Sequence, residues 1–335
     1  MKDVVVLKGD GIGPEIIEAT IKIIDTFDLP IKWHYKMAGA LALEAKGDLI
    51  PEETIEAIKA YKVVLKGPMT TPIGKGFRSV NVQMRKLFDL SSNIRPASTK
   101  ITLHKRYEPF DIVVFRENTE GLYGGKEYIR EDGTAVAEKV VTVEKSRRIM
   151  KAACDYAVKN GMAKVTIGHK ANILKVADGL FLEQTLEVGK AYPTLTLEPL
   201  IIDNLCAKVV SKPENFEVIV TTNLYGDILS DLLGGMVGSI GVLPSINIGE
   251  EIAFFEPVHG SAPDIAGQSL ANPVGAILSG ALMLKHIGYA DEGNRLEEAV
   301  FELINKDSVM TMDIGGVIGT QAFADAMIDK LNALK

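Results

Sequence analysis

The amino-acid sequence predicts an α/β fold with a mixed, largely parallel sheet divided between two domains. Short apolar runs that end at turns alternate with longer segments of helical periodicity, the pattern of a parallel sheet covered by helices. The chain has 335 residues, more than a single hydrophobic core usually serves. No proline- or serine-rich linker separates the two expected domains, so the chain should cross between them more than once.

The individual elements follow from local pattern. The first strand, Val4–Leu7, ends at a glycine-rich turn, and Pro14 suits the first turn of the helix that follows. In chain order the predicted strands are Val4–Leu7, Val63–Leu65, Ile112–Phe115, Leu200–Ile202 and Val218–Val220. The predicted helices, whose apolar residues recur every three or four positions, are Pro14–Phe27, Lys145–Lys159, Gly179–Lys190, Leu205–Val210, Asn223–Leu233, Asn272–His286, Arg295–Asn305 and Gln321–Leu331. Asn272–His286 is largely apolar and should be buried.

Composition excludes several classes of protein. With 47% hydrophobic residues the chain is not disordered, and its mixed charges, with a net charge of −7, argue against a nucleic-acid partner. No run of about 18 apolar residues occurs, so no membrane-spanning helix is expected. Two distant cysteines, Cys154 and Cys206, and five scattered histidines leave carboxylates as the ligands of any metal. Met1–Asp3 leads directly into a strand without a targeting segment, and we therefore expect a cytoplasmic protein.

The segment Gly9–Glu15 looks like the dinucleotide fingerprint G-x-G-x-x-G, but Pro14 stands where the third glycine belongs. A tight strand–helix turn is the simpler interpretation. The alternative is a glycine turn beside a cofactor whose phosphates are bound elsewhere.

Two carboxylates, Asp227 and Asp231, lie four residues apart and hence on one face of a predicted helix. Alone they could be solvated acids near a helix N-terminus. Their flanks are apolar, however, and a buried pair of carboxylates requires a cation. Asp203, at the end of a predicted strand, is a plausible third ligand for Mg²⁺ or Mn²⁺.

Cationic and polar residues form a second set: Ser79, Asn81 and Arg85, then Arg95, then Arg116. Arginine binds carboxylates through two parallel hydrogen bonds, so the set matches a small polycarboxylate. Any one arginine could be an ordinary surface residue, but Arg116 directly follows a buried strand and therefore indicates a site.

These motifs resemble those of the β-decarboxylating dehydrogenases, the family of isocitrate, 3-isopropylmalate, homoisocitrate and tartrate dehydrogenases. The segments that carry the resemblance, in the family's order, are Gly9–Glu15, Ser79–Arg85, Arg116–Tyr123, His169–Asn172, Asn223–Asp231 and His259–Gly267. The resemblance implies the two-domain isopropylmalate dehydrogenase-like fold, which is not the Rossmann fold. It assigns residues 1–98 and 250–335 to a large cofactor-binding domain. Residues 99–249 form a small domain with the dimer interface and the metal-binding residues.

The resemblance also implies individual roles. Tyr123 and Lys170 match the catalytic acid–base pair. The metal ligands are Asp203, Asp227 and Asp231, and the substrate-binding residues are Ser79, Asn81, Arg85, Arg95, Arg116 and Asn172. The family builds each site from two subunits, Lys170 and Asp203 reaching in from the partner, so we expect a homodimer or larger assembly.

Substrate and cofactor follow from two finer patterns. Ser79, Asn81 and Arg85 resemble the isocitrate enzymes, which favours isocitrate over homoisocitrate or 3-isopropylmalate; a regulatory subunit of a heteromeric enzyme is disfavoured because the catalytic residues are present. Asp264 and Ile265 stand where NADP-dependent relatives carry Lys-Tyr, and a carboxylate there repels a 2′-phosphate, which indicates NAD. The expected cofactor-binding residues are Ile12, Thr71, His259, Gly260, Ser261, Ala262, Pro263, Asp264, Ile265 and Asn272.

Overall fold

The computed structural model describes residues 1–72, 76–101, 103 and 106–333. In chain order its strands are β1 (Lys2–Leu7), β2 (Ile31–Lys36), β3 (Val63–Lys66), β4 (Ser92–Ser98), β5 (Asp111–Glu117), β6 (Glu127–Ile129), β7 (Ala135–Ala137), β8 (Lys164–His169), β9 (Thr196–Ile201), β10 (Val218–Thr221), β11 (Pro244–Ile248) and β12 (Ala253–Pro257). The helices are α1 (Gly13–Asp25), α2 (Ala40–Lys46), α3 (Glu52–Tyr61), α4 (Val80–Leu87), α5 (Val143–Lys159), α6 (Ala177–Gly189), α7 (Ile202–Ser211), α8 (Asn223–Val237), α9 (Val274–His286), α10 (Ala290–Asn305) and α11 (Thr320–Ala333).

The chain divides into two compact units. The first comprises Met1–Met84, Lys100–His104 and Val237–Lys335, and the second Arg85–Thr99 and Lys105–Met236. These boundaries differ from the expected ones at 98/99 and 249/250. Strand β4, which pairs with β5, falls in the second unit, and β11, which pairs with β12, falls in the first.

The first unit contains a mixed sheet in the order β2-β1-β3-β12-β11, in which only the β11–β12 pair is antiparallel. Val4–Leu7 of β1 are fully buried, as expected for an apolar strand between two parallel neighbours. Helix α9 packs against β11, β12, α1 and α10, and its residues are almost all buried, which confirms the prediction for this segment.

The second unit contains strands in the order β4-β5-β10-β8-β9, with only β4–β5 antiparallel, and a separate hairpin β6–β7. Helix α5 buries Ile149, Met150, Ala153 and Cys154 against strands β5, β8 and β10. The alternation of strands and helices confirms the predicted α/β class.

One predicted strand ends earlier than expected. Leu200 and Ile201 lie in β9, but Ile202 already begins α7, so Asp203 stands in the first turn of a helix rather than after a strand. Among the helices of the described residues, none is both long and apolar enough to cross a membrane.

Candidate active site

Three side chains of the second unit converge on the carboxylate of Asp227. Arg116 Nη1 donates to Oδ1 at 2.5 Å, and Arg95 Nη1 donates to the same oxygen at 3.1 Å. The hydroxyl of Tyr123 donates to Oδ2 at 2.5 Å. Arg95 also lies 3.6 Å from Asp231, one helical turn further along α8. The structure thus brings together five of the residues singled out from the sequence.

Strand topology explains this convergence. Strands β5 and β10 are parallel neighbours with Arg116 opposite Thr221, so their carboxyl ends reach the same edge of the sheet. Arg116 is the second-last residue of β5 and α8 begins just after β10, which places Asp227 beside the guanidinium. Gly226 is required for this approach, because a Cβ there would lie 2.6 Å from the Cβ of Arg116. Arg95 joins from the antiparallel neighbour β4.

The electrostatics of this arginine–carboxylate cluster (Arg85, Arg95, Arg116, Asp227 and Asp231) are unusual. Burial and repulsion from Arg95 and Arg85 lower the pKa of Arg116 to about 9. Burial opposes the ionisation of Asp227, but the adjacent Arg116 and Arg95 outweigh it and lower the pKa of that carboxyl. Asp231 has less compensation, and burial raises its pKa. The cluster is therefore short of negative charge.

Tyr123 sits in a single 3₁₀ turn, Leu122–Gly124, with the Arg116 guanidinium 5.0 Å from the centre of its ring. Burial and the hydrogen bond to Asp227 raise the pKa of its hydroxyl. The phenol therefore carries its proton at neutral pH and can act as an acid.

Lys170 and Asp203 form a separate pair. Lys170 follows β8, and its ammonium forms an ion pair with Asp203 in the first turn of α7. The hydrogen bond from Lys170 lowers the pKa of Asp203. Among the described residues, no three His, Cys, Asp or Glu side chains are grouped so as to hold a metal. One chain therefore presents Asp227 with Asp231 in one place and Asp203 with Lys170 in another.

The other predicted substrate residues are placed as follows. Ser79 precedes α4, and its Oγ accepts the Val82 N–H at 3.4 Å, which caps the helix. Asn81 Oδ1 is buried and has no hydrogen-bond partner among the described residues, and Arg85 is buried further along α4. Asn172 is exposed in the turn after Lys170.

Two groups of polar residues were not predicted. Asn223 Oδ1 accepts Nε and Nη2 of Arg116 at 3.0 and 2.8 Å, and Ser230 accepts Arg95 at 2.6 Å. Asn223 could have been noticed in the sequence, because asparagine often caps helices and this one lies two residues after a buried strand. The second group surrounds the fully buried Asp178, which accepts the Lys170 N–H at 2.7 Å. Sequence pattern offers no signal for it.

In the first unit the glycine turn packs against the loop that follows β12. The Ile12 N–H donates to the Ser261 carbonyl at 2.9 Å, and the hydroxyls of Thr70 and Ser261 are 2.8 Å apart. Gly11 has a φ of +58°, and a Cβ there would lie 1.9 Å from the Ser261 carbonyl oxygen. The glycines therefore serve a tight turn with close backbone approach, which is compatible with both interpretations of this segment.

The same loop carries the predicted cofactor residues. His259 Nδ1 contacts the Gly260 carbonyl at 2.9 Å, burial lowers its pKa, and its Nε2 is buried without a partner in the described part of the chain. Asn272 donates to Asp313 at 3.0 Å and caps α9. The side chain of Asp264 is exposed on the 3₁₀ turn Pro263–Ile265. Thr71 and Gly260 are also exposed.

The fold and these residue clusters define a two-domain α/β enzyme distinct from the Rossmann dehydrogenases. The chain belongs to the isocitrate/isopropylmalate dehydrogenase family, whose family model matches residues 3–331. The resemblance stated from the motifs is thereby confirmed.

Individual relatives cover nearly the whole chain. Mitochondrial NAD isocitrate dehydrogenase catalytic subunit 5 of Arabidopsis thaliana is 43% identical over 324 residues, covering 96% of this chain and 87% of that protein. A mitochondrial regulatory subunit of NAD isocitrate dehydrogenase from Dictyostelium discoideum is 44% identical over 333 residues, covering 99% and 92%. The crystal structure of isocitrate dehydrogenase from Methylococcus capsulatus superposes with a TM-score of 0.96 at 42% identity, covering 99% of both chains.

These relatives correct one expectation. The cytoplasmic location predicted from the N-terminal sequence is contradicted by the mitochondrial relatives at 43% and 44% identity. The prediction rested on the absence of a targeting segment, and that absence is not informative about location.

Proposed function

We propose that the protein catalyses the oxidative decarboxylation of isocitrate to 2-oxoglutarate and CO₂, with reduction of NAD and dependence on Mg²⁺ or Mn²⁺. The observation that carries the proposal is the convergence of Arg95, Arg116 and Tyr123 on Asp227. It combines carboxylate recognition, a metal-ligating carboxylate and an acid in one place. The relatives named as NAD isocitrate dehydrogenase subunits support it.

Charge balance supports a tricarboxylate substrate. Arg85, Arg95 and Arg116 exceed Asp227 and Asp231 by one positive charge, and a divalent cation would add two more. Three substrate carboxylates would neutralise this excess. The guanidinium groups offer the paired donors that carboxylates accept.

The residues fit a hard divalent cation. Asp227 and Asp231 project from one face of α8, and the Asp231 side chain is 57% exposed with its ion pair to Arg95 as long as 3.6 Å. Oxygen-only ligands are those of Mg²⁺ and Mn²⁺. One chain supplies two carboxylates at this point, so the substrate and an Asp203 from a second chain are needed to complete the set.

The residues of the chain then divide the proton transfers. When bound, the metal would supply Lewis-acid chemistry at the substrate oxygen, and NAD would supply the hydride acceptor. Lys170, once its ammonium has lost a proton, removes the hydroxyl proton of the substrate. Tyr123 donates a proton to the carbon from which CO₂ has left, and such a general acid contributes about 10²–10⁴-fold to the rate. Arg116 and Arg95 hold the substrate carboxylates throughout.

The loop of the first unit fits an adenosine. The unpartnered, buried Nε2 of His259 leaves a hydrogen-bonding position open for a ligand. The exposed carboxylate of Asp264 would accept hydrogen bonds from the ribose hydroxyls, which favours NAD over NADP. We assign Asn272 to the adenine side of this site.

The relatives are named as subunits, which supports an assembly of more than one chain. The sequence leads us to expect a homodimer with shared sites, and the alternative assembly is a heteromer. A purely regulatory role is disfavoured, because Tyr123, Lys170 and the three aspartates are all present.

The test is NADH formation by purified protein with Mg²⁺ and a panel of isocitrate, homoisocitrate, 3-isopropylmalate, tartrate and malate. Isocitrate should give the highest kcat/KM, since Ser79 and Asn81 are small polar groups that suit a third carboxylate. Equal or better kcat/KM with 3-isopropylmalate would contradict the proposal. Activity seen only after a second type of subunit is added would identify a heteromer.

A further inference from the structure

Asp178 is a fully buried carboxylate that the proposed chemistry does not use. It lies in the first turn of α6, and its side chain is 0% exposed. A carboxylate in such a position requires partners for both oxygens. Its surroundings in the second unit supply them from separate segments of the chain.

The two oxygens have different partners. Oδ1 forms an ion pair with Lys139, whose side chain is 15% exposed. Oδ2 accepts the backbone N–H of Lys170 at 2.7 Å. Tyr225 of α8 lies beside this pair, since the Lys139 ammonium is 4.3 Å from the centre of its ring, and burial together with Asp178 raises the pKa of its hydroxyl to about 12.

These contacts join the end of β8 to the helix that bears Asp227. The N–H of Lys170 lies just beyond the last strand residue, where no ladder partner fixes it, and the following residues form an exposed turn. The Lys170 carbonyl accepts the N–H groups of Ile173 and Leu174 within that turn, at 3.0 and 2.9 Å. The buried carboxylate holds the N–H side of the same residue, and with it the starting point of the long Lys170 side chain.

We propose that Asp178 is a positioning residue, held in place by Lys139 and Tyr225, that fixes the backbone of Lys170 for proton transfer. This rests on the proposed function for the role of Lys170. Asp178 touches no reacting atom, so its effect should fall on the rate of the chemical step and leave substrate binding by the arginines intact.

The variant to test is Asp178→Asn in the full-length protein, with Glu183→Gln, an exposed acid on the same helix, as matched control. The amide has one acceptor oxygen, which cannot serve both Lys139 and the Lys170 N–H. We expect kcat per folded molecule to fall by about 10- to 100-fold, while KM for isocitrate and NAD stays within about twofold. The control should match the unmodified protein in both constants.

A double variant separates positioning from stability. In Asp178→Asn with Lys139→Met, the amide oxygen is free to accept the Lys170 N–H again, so kcat should recover in part. Folded protein is counted by circular dichroism and by NADH-binding stoichiometry. If kcat per folded molecule is unchanged in Asp178→Asn, or if KM rises in step with the loss of kcat, Asp178 is only structural and the proposal is wrong.

A measurement independent of activity distinguishes this inference from the proposed function. Amide hydrogen exchange of the segment 168–176 should accelerate in Asp178→Asn and stay unchanged in Glu183→Gln. Accelerated exchange in a protein that oxidises none of the panel substrates would overturn the proposed function alone. Unchanged exchange would overturn the positioning role.

Discussion

At the scale of single residues, Asp227 decides the electrostatics of the candidate site. Arg116 is 1% exposed, and its nearest anion is this carboxylate. A buried cation with a pKa lowered to about 9 would be costly without that anion, which explains why Asp227 remains ionised despite its own burial. The same carboxylate accepts the hydrogen bond of the Tyr123 hydroxyl, so the Asp227 side chain links carboxylate recognition to the proposed acid.

Cofactor choice is a second property of single residues. NADP differs from NAD by one phosphate on the adenosine ribose, and a carboxylate at Asp264 would repel it. We expect kcat/KM for NAD to exceed that for NADP by about 10²-fold or more, taking about 1.4 kcal/mol as tenfold. Asp264→Lys with Ile265→Tyr should reduce or reverse this preference, because a lysine would pair with the phosphate.

The measurement is kcat/KM for both cofactors in both proteins, with Gln268→Lys, at an exposed position four residues along the same loop, as a control for added charge. The control should keep the preference for NAD. If the unmodified protein uses both cofactors equally well, Asp264 does not face the ribose.

Residue type predicted part of this site and missed the rest for a physical reason. Asp227 and Arg116 stand in short motifs whose chemistry is readable from the sequence, and Tyr123 was assigned through the family resemblance. Asn223 acts through Arg116, which is 107 positions away, and Asp178 acts through Lys139, 39 positions away, as well as through the nearby Lys170. Only the tertiary structure brings the distant partners together.

At the scale of elements, a buried acid, Glu120, lies against the N-terminus of α5. Thr142 caps the helix, and its N–H donates to Glu120 Oε1 at 2.9 Å. Burial raises the pKa of Glu120 from its ordinary 4.5, and the neighbouring Glu117 raises it further while the hydrogen bond to Thr142 opposes both. At neutral pH the ionised carboxylate of Glu120 therefore lowers the stability of the folded protein.

Proton linkage determines how the contribution of Glu120 to stability changes with pH. Because the folded state binds this proton more tightly than the unfolded chain, the stabilising contribution of Glu120 falls as pH rises from about 4.5 through the raised pKa. Glu120→Gln retains an acceptor for the Thr142 N–H and removes the charge. We expect its Tm to exceed that of the unmodified protein by about 2 °C at pH 8, and the difference to shrink towards pH 5.

Thermal unfolding at both pH values measures this difference, and Glu131→Gln, at an exposed position, serves as the control that should show none. A lower Tm for Glu120→Gln at pH 8, with no dependence on pH, would show that the charge is not a cost.

The helices and strands differed in how well they could be predicted from their sequences. Strand β1 and helix α9 consist mainly of apolar residues and were predicted, whereas β2 and β4 were not. Strand β4 reads Ser-Asn-Ile-Arg-Pro-Ala-Ser, which lacks the run of apolar residues that signals a buried strand. Its polar side chains serve the candidate site, as Arg95 shows, so function obscures the structural pattern here.

At the scale of the whole molecule, one chain contains the parts of a site without assembling them in one place. Asp227 and Asp231 lie with the arginines, while Lys170 and Asp203 neutralise each other elsewhere in the same unit. The described residues hold no group of three potential metal ligands. The proposed completion by a second chain, with Asp203 reaching in from the partner, would account for both observations.

Subunit mixing tests this directly. Lys170→Met and Tyr123→Phe should each be nearly inactive alone, because each lesion removes one proton-transfer group. If Lys170 serves the partner's site, a mixed dimer contains one site with both lesions and one with neither. Random exchange of equal amounts should then restore up to about a quarter of the unmodified activity.

The matched control mixes Tyr123→Phe with Asp227→Asn. One chain contributes both of these residues to the same site, so each site of a mixed dimer carries one lesion and no activity should return. Exchange is verified by the mass of the mixed dimers. Mixed dimers of Lys170→Met and Tyr123→Phe without any activity would show that each chain builds its own complete site, and the separation of Asp203 from Asp227 would then have to close within one chain.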